Sequence, residues 1–156
     1  MDIDQLLPYL FVGACPTDRA DIDSLKASFG ITAVVNLQTD DDFAYWGINW
    51  QEMAAAYEAS GVEIRRVAVE DFNPEDLRRK LPACVQALDE LLRAGHTVYV
   101  HCSAGMNRSP SAVIAYLHWV QETGLDEAVD FVMERHPCDP YVEAIRLATV
   151  DRAAGK

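Results

Sequence analysis

Basic residues are scarce in this chain: 13 lysines and arginines stand against 25 aspartates and glutamates, leaving a net charge of −12. Nucleic acids and anionic membrane surfaces both reward a basic footprint, so neither is expected as a partner. Long apolar runs are missing too. No stretch approaches the roughly 18 residues of a membrane span, and no basic, apolar leader opens the sequence, which makes the cytoplasm the expected compartment. The four cysteines, Cys15, Cys84, Cys102 and Cys138, include no CxxC pair, and His96, His118 and His136 have no companion ligands at metal-binding spacing. Neither a zinc site nor a disulfide framework is expected, and the chemistry read below requires no metal or organic cofactor. Repeats and low-complexity tracts are absent, and acidic clusters such as Asp40-Asp41-Asp42 read as solvated loops. With 156 residues, half of them hydrophobic, the chain is long enough for one buried core and short for two, so residues 1–156 read as a single domain.

What the chain does contain is an alternation of strand and helix signals. Tyr9 to Gly13 predicts a strand, Thr17 to Phe29 a helix stopped by Gly30, and Ile31 to Leu37 a strand apolar enough to be buried on both faces. Trp50 to Ala59 has high helix propensity, Val62 to Val69 predicts a third strand, and Glu75 to Ala94 repeats apolar residues at helical spacing, with Pro82 expected to bend or split it. A strand over 97–101, a helix over Pro110 to Gln121 and two final helices, Asp126 to His136 and Tyr141 to Asp151, complete the series. Such alternation implies an α/β fold, a mainly parallel central sheet flanked by helices.

One stretch carries chemistry: His101-Cys102-Ser103-Ala104-Gly105-Met106-Asn107-Arg108-Ser109, set between the strand over 97–101 and the helix that follows. A loop that ends at a helix N-terminus offers unpaired N–H groups and the positive end of the macrodipole, both suited to an anion. Arg108 adds a planar fork matched to two phosphate oxygens. The same field favours the thiolate form of Cys102 and makes it a nucleophile. Cysteine and arginine thus stand six positions apart around a phosphate-sized cradle lined by Ser103, Ala104, Gly105, Met106 and Asn107. Ser109 can donate to the sulfur when it leaves, and His101 is read as a support that orders the loop. A phosphomonoester also needs an acid, since a departing alkoxide leaves poorly unless protonated. Asp71 precedes a helix in a loop that should open on the same side of the sheet, and Glu70 and Asp76 are its competitors for the role.

The Cys-x5-Arg-Ser pattern resembles the signature loop of the cysteine-dependent protein tyrosine phosphatases, most closely the dual-specificity branch, whose usual form is His-Cys-x-x-Gly-x-x-Arg-Ser. Phe11-Val12-Gly13-Ala14-Cys15, Asn36-Leu37-Gln38, Tyr45-Trp46-Gly47-Ile48, Asp71-Phe72, Leu81-Pro82 and Ala144-Ile145-Arg146 extend the likeness over nearly the whole chain. Within that branch the chain is most similar to the glucan phosphatases, the group containing laforin and the plant starch-excess phosphatases. The resemblance implies a protein-tyrosine-phosphatase-like fold, a phosphocysteine intermediate at Cys102, and Asp71 as the acid. It also implies an aromatic platform for glucan chains at Tyr45, Trp46 and Phe72, residues that could otherwise be core aromatics. Asn107, where glycine is usual, and Asp139, near a position often aromatic, depart from the group's pattern. The expected substrate is a phosphorylated glucan. A phosphoprotein or a small polyol phosphate such as an inositol phosphate is the alternative, and a non-catalytic glucan-binding module is disfavoured by the intact Cys102, Asp71 and Arg108.

Overall fold

The computed structural model describes residues 1–156. Its five-stranded sheet runs in the order β1-β2-β5-β3-β4, built from β1 (Ile3–Leu7), β2 (Leu10–Gly13), β3 (Ala33–Asn36), β4 (Glu63–Arg66) and β5 (Val98–His101). β2, β5, β3 and β4 are parallel, and β1 adds an antiparallel edge to β2. The helices are α1 (Arg19–Phe29), α2 (Asp40–Trp46), α3 (Trp50–Ser60), α4 (Pro74–Arg93), α5 (Arg108–Trp119), α6 (Leu125–Arg135) and α7 (Val142–Ala153).

Successive strand side chains point to opposite faces, and here each face carries its own core. Val12, Ala33, Val35, Val98 and Val100 pack with residues of α4, α5, α6 and α7, whereas Phe11, Val34 and Tyr99 pack with α1 and α3. Both faces of the central strands being covered explains why β2, β3 and β5 are buried at every position and apolar up to their last residues. α1, α2 and α3 each stop at a glycine in the left-handed region, Gly30, Gly47 and Gly61, where any side chain would be strained.

Four expectations need correction. β1 was not expected: its Asp4 and Gln5 interrupt the apolar pattern, because an edge strand is half wet. The third strand is shorter than Val62–Val69: its regular pairing with β3 covers Glu63–Arg66, and beyond it the Val67 and Val69 N–H groups still donate to the Asn36 and Leu37 carbonyls. Pro82 does not split α4, which runs unbroken over 20 residues. The cluster Asp40-Asp41-Asp42 is not a solvated loop but the first turn of α2. Thr39 caps it, accepting from the Asp42 N–H, while the Asp42 carboxylate accepts from the Thr39 N–H at 2.9 Å, a reciprocal capping box. Three carboxylates at a helix N-terminus are favoured by the macrodipole, so the acidity that reads as solvation is a helix-start signal.

Candidate active site

The parallel strands end together, and their carboxyl ends define the floor of the site. β5 delivers His101 and then the loop from Cys102 to Asn107, after which α5 begins at Arg108. Glycine is required on this path. Gly105 has φ +76°, and a Cβ there would lie 2.6 Å from the Gly13 carbonyl carbon, so the loop rests directly on the backbone at the end of β2.

The loop's carbonyls are tied outward. Cys102 O accepts from His101 Nδ1 at 2.9 Å, Ser103 O from the Cys15 N–H at 2.9 Å, Gly105 O from His136 Nε2 at 2.6 Å, and Met106 O from the Asp139 N–H at 2.7 Å. In a trans peptide the next N–H points the opposite way, so these four bonds turn the amides of Ser103, Ala104, Met106 and Asn107 to the inner side. No N–H from Ser103 to Arg108 donates to a backbone carbonyl. Nor does the Asn107 side chain cap α5, whose first turn holds no acidic residue. Six consecutive N–H groups at a helix start are therefore without a backbone partner, and four of them are turned inward, which is the arrangement an oxyanion satisfies.

Cys102 is buried at the base of this cradle, its Sγ 3.2 Å from Ser109 Oγ. That hydroxyl also lies within 3.4 Å of the Gly13 carbonyl. The His101 ring is fully buried, and burial, assisted by the Arg108 charge and opposed by the contact with the Cys102 carbonyl, pushes its pKa down to about 4. The imidazole is therefore neutral at pH 7, with its proton on Nδ1 facing the Cys102 carbonyl. It contacts the loop through that carbonyl and carries no charge of its own.

Arg108 is 1% exposed, and its two edges have different fates. Nη1 donates to Asp42 Oδ2 at 2.7 Å and to the Val69 carbonyl at 2.8 Å. Nη2 lies 3.3 Å from Asp71 Oδ2, and Nε is buried without a partner. One edge is thus held by protein, while Nε and Nη2 retain donor capacity for two oxygens of a ligand. Burial acts to raise the Asp42 pKa, but the bond to Arg108 and those to Thr39 outweigh it, so the carboxyl is held below its ordinary range and stays ionised beside the guanidinium.

Asp71, Phe72, Cys102, Ala104, Met106, Asn107 and Arg108 line one pocket of about 180 Å³. Gly105 and Ser103 do not line it; Ser103 Oγ accepts from Gln38 Nε2 at 3.1 Å. The competitors of Asp71 are otherwise engaged. Asp76 is buried and accepts from the Glu70 N–H, Lys80 and Arg79; these bonds outweigh the effect of burial and hold its pKa low. Glu70 accepts from Asn73. Tyr45 and Trp46 do not line the pocket. They form an edge-to-face pair at 5.6 Å on the last turn of α2, whose first turn holds Arg108 through Asp42. They are not core aromatics: Tyr45 is 82% and Trp46 44% exposed, and Phe72 is 81% exposed.

Sequence reasoning missed Asp42, Gln38, Arg66 and His136. Arg66 lies over the Phe43 ring and donates to the Gln38 carbonyl and to Asp40, fastening α2 to the sheet edge. The Thr39-x-x-Asp42 spacing carried a capping signal that could have placed Asp42 on a helix. Nothing in the local sequence marks His136.

A buried thiol, a serine beside it, an arginine with a free edge and a run of open amides are the arrangement of a phosphate-binding loop. The chain belongs to the dual specificity phosphatase family, whose catalytic-domain pattern matches residues 10–142. It is 38% identical over 154 residues to the chloroplastic phosphoglucan phosphatase LSF1 of Arabidopsis thaliana, covering 99% of this chain and 26% of that protein. Laforin of Mus musculus is 34% identical over 158 residues, covering 95% of this chain and 48% of that protein. The chain thus spans about a quarter to a half of the length of these relatives. The crystal structure of the human tyrosine phosphatase-like serine/threonine/tyrosine-interacting protein superposes with a TM-score of 0.77 at 24% identity, covering 98% of this chain and 97% of that one, which supports the fold. No helix is long and apolar enough to cross a membrane.

Proposed function

We propose that this phosphatase removes phosphate from a phosphorylated glucan through a phosphocysteine intermediate. The observation that carries the catalytic reading is the run of unpartnered N–H groups from Ser103 to Arg108 around a buried thiol, with Arg108 Nε unpartnered beside it. These donors and Arg108 Nη2 receive the three non-bridging oxygens and stabilise the charge that spreads over them in the transition state. Cys102 Sγ attacks phosphorus in line. As the S–P bond forms and the ester P–O bond breaks, Asp71 hands its proton to the leaving oxygen. Water then attacks phosphorus, giving a proton to the Asp71 carboxylate; the S–P bond breaks, and the Ser109 hydroxyl donates to the departing thiolate. Asp71 rests beside Arg108 in the free enzyme, and an incoming phosphoryl group competes for that edge.

The glucan reading rests on the kinship with phosphoglucan phosphatases, on Phe72 at the pocket wall, and on the solvent-exposed Tyr45–Trp46 pair of α2. Phe72 is the most telling. It sits in the left-handed region at φ 57°, which costs a non-glycine residue roughly 1–2 kcal/mol, and its ring is nonetheless exposed at the pocket wall. Apolar C–H faces of sugar rings stack on such surfaces while their hydroxyls stay wet. Four free cysteines suit a reducing compartment such as the cytoplasm.

The test is a side-by-side assay on phosphorylated amylopectin, inositol phosphates and phosphopeptides, with Cys102→Ser as the inactive control. The proposal expects the highest kcat/KM on the glucan. A clear preference for phosphopeptide or inositol phosphate would replace it with the corresponding alternative.

A further inference from the structure

His136 stands at the end of α6, with its ring fully buried between the phosphate loop and β1. Nε2 lies 2.6 Å from the Gly105 carbonyl oxygen and Nδ1 lies 2.7 Å from Asp4 Oδ2. A carbonyl oxygen can only accept, and an ionised carboxylate can only accept. A neutral imidazole has a single N–H, so it would press a bare nitrogen lone pair against one of these oxygens. Asp4 and its neighbour Asp2 are the carboxylates grouped with this ring, on the side away from the loop.

We infer that His136 is an imidazolium that positions the phosphate loop, donating from Nε2 to the Gly105 carbonyl and from Nδ1 to Asp4. The proposal deepens the phosphatase reading and rests on it. Its effect passes through one peptide group. Holding the Gly105 oxygen turns the Met106 N–H to the opposite side, where Met106 forms part of the pocket wall. The Asp139 N–H holds the Met106 oxygen in the same way and directs the Asn107 N–H inward. The segment from His136 to Asp139 is therefore a backstop for two of the oxyanion donors. The charged end of that backstop adds what Asp139 cannot: a positive charge behind the loop, polarising the Gly105–Met106 peptide toward the ligand. His136 touches no substrate and is a positioning residue.

The experiment uses the wild-type chain, His136→Gln and Asp4→Asn at pH 7. Ring nitrogen–proton correlation spectra of the wild type, recorded with and without EDTA, should show protons on both His136 nitrogens. Asp4→Asn should leave one, on Nε2, because the asparagine amide can then donate to Nδ1. The inhibition constant of tungstate, an oxyanion competing with an aryl phosphate, should rise about tenfold in each variant, the difference between a charge-assisted and a neutral hydrogen bond. Cys102→Ser run in parallel keeps the tests separate: turnover surviving in it removes the phosphatase mechanism, whereas the ring spectrum reports on His136 alone. A wild-type ring carrying one proton places the second proton on Asp4 and overturns the inference. So does a spectrum that changes with EDTA, which would mean a metal at Nδ1. Variants that melt lower yet bind tungstate as the wild type does reduce His136 to packing. Should His136→Gln not fold, Asp4→Asn and the wild-type spectrum decide.

Discussion

Removing Asp42 is the sharpest test of how the arginine is held. Arg108 is 1% and Asp42 13% exposed at the side chain, and their 2.7 Å contact is the shorter of the two that occupy Nη1. Breaking a buried pair by deleting one partner costs roughly 3–5 kcal/mol, because a charge is left behind without compensation. Here the cost is reduced, since Nη1 keeps the Val69 carbonyl and Nη2 keeps Asp71. An estimate of about 2–3 kcal/mol for Asp42→Ala follows, and in a domain of this size it corresponds to a fall in melting temperature of roughly 4–12 °C. Activity should fall further than stability suggests. A guanidinium free to turn no longer presents Nε and Nη2 to the ligand, and a misplacement of about 1 Å in a positioning group costs about 100-fold. Asp42→Asn, which retains an acceptor and loses the charge, should fall between wild type and alanine. Urea titration and kcat/KM on an aryl phosphate measure both quantities at pH 7. Sign also matters at low pH. Because the folded Asp42 pKa lies below its ordinary value of 3.8, its contribution is complete above that pH and is lost as pH falls through the lower folded value. Unchanged melting temperature and kcat/KM in Asp42→Ala would refute the reasoning.

Three further outcomes are expected. Asp71→Asn should slow alkyl phosphates far more than aryl phosphates, whose phenolate leaves without help, and should remove the alkaline limb of the pH–rate profile; equal loss on both would make Asp71 structural. Trp46→Ala or Phe72→Ala should lower glucan dephosphorylation by roughly threefold to tenfold, from about 0.5–1.5 kcal/mol of stacking, and leave aryl phosphate hydrolysis unchanged. Phe72→Ala should leave the melting temperature close to wild type, since its ring is 81% exposed. His101, held neutral with its pKa near 4 in the folded chain against 6.5 ordinarily, makes stability decline as pH falls from 6.5 toward 4, by about 3 kcal/mol in all, and flatten below. Urea denaturation at pH 7, 5.5 and 4.5 reads that slope, and its persistence in His101→Asn would assign the decline to other groups.

Much of this site was legible in one dimension because its chemistry is local. The proposed nucleophile, its amide cradle, the arginine and the serine lie within eight residues, from Cys102 to Ser109, and strand and helix signals on either side orient them. The alternation of apolar runs with helical periodicities likewise disclosed the parallel sheet, since residues buried on two faces leave no polar positions to mask the pattern. That Asp71 shares a pocket with Cys102 and Arg108 was reachable for a related reason, as the loop after one parallel strand opens on the same side as the loop after another.

What the tertiary structure decided are the contacts between elements distant in sequence. Asp42 reaches Arg108 across 66 positions, and His136 meets Asp4 across 132. An aspartate in a helix-capping turn and a histidine after a helix carry no mark of their partners, because local propensity describes the backbone of each segment and not the element packed upon it. The same holds for the aromatics. Whether Tyr45, Trp46 and Phe72 are core or surface depends on what covers them, and only the folded chain leaves all three uncovered. The proposed phosphate loop was thus written in the local order of residues, whereas the direction of its outward-tied amides and of the arginine's free edge was set by long-range packing, which satisfies some hydrogen-bonding groups and leaves others open.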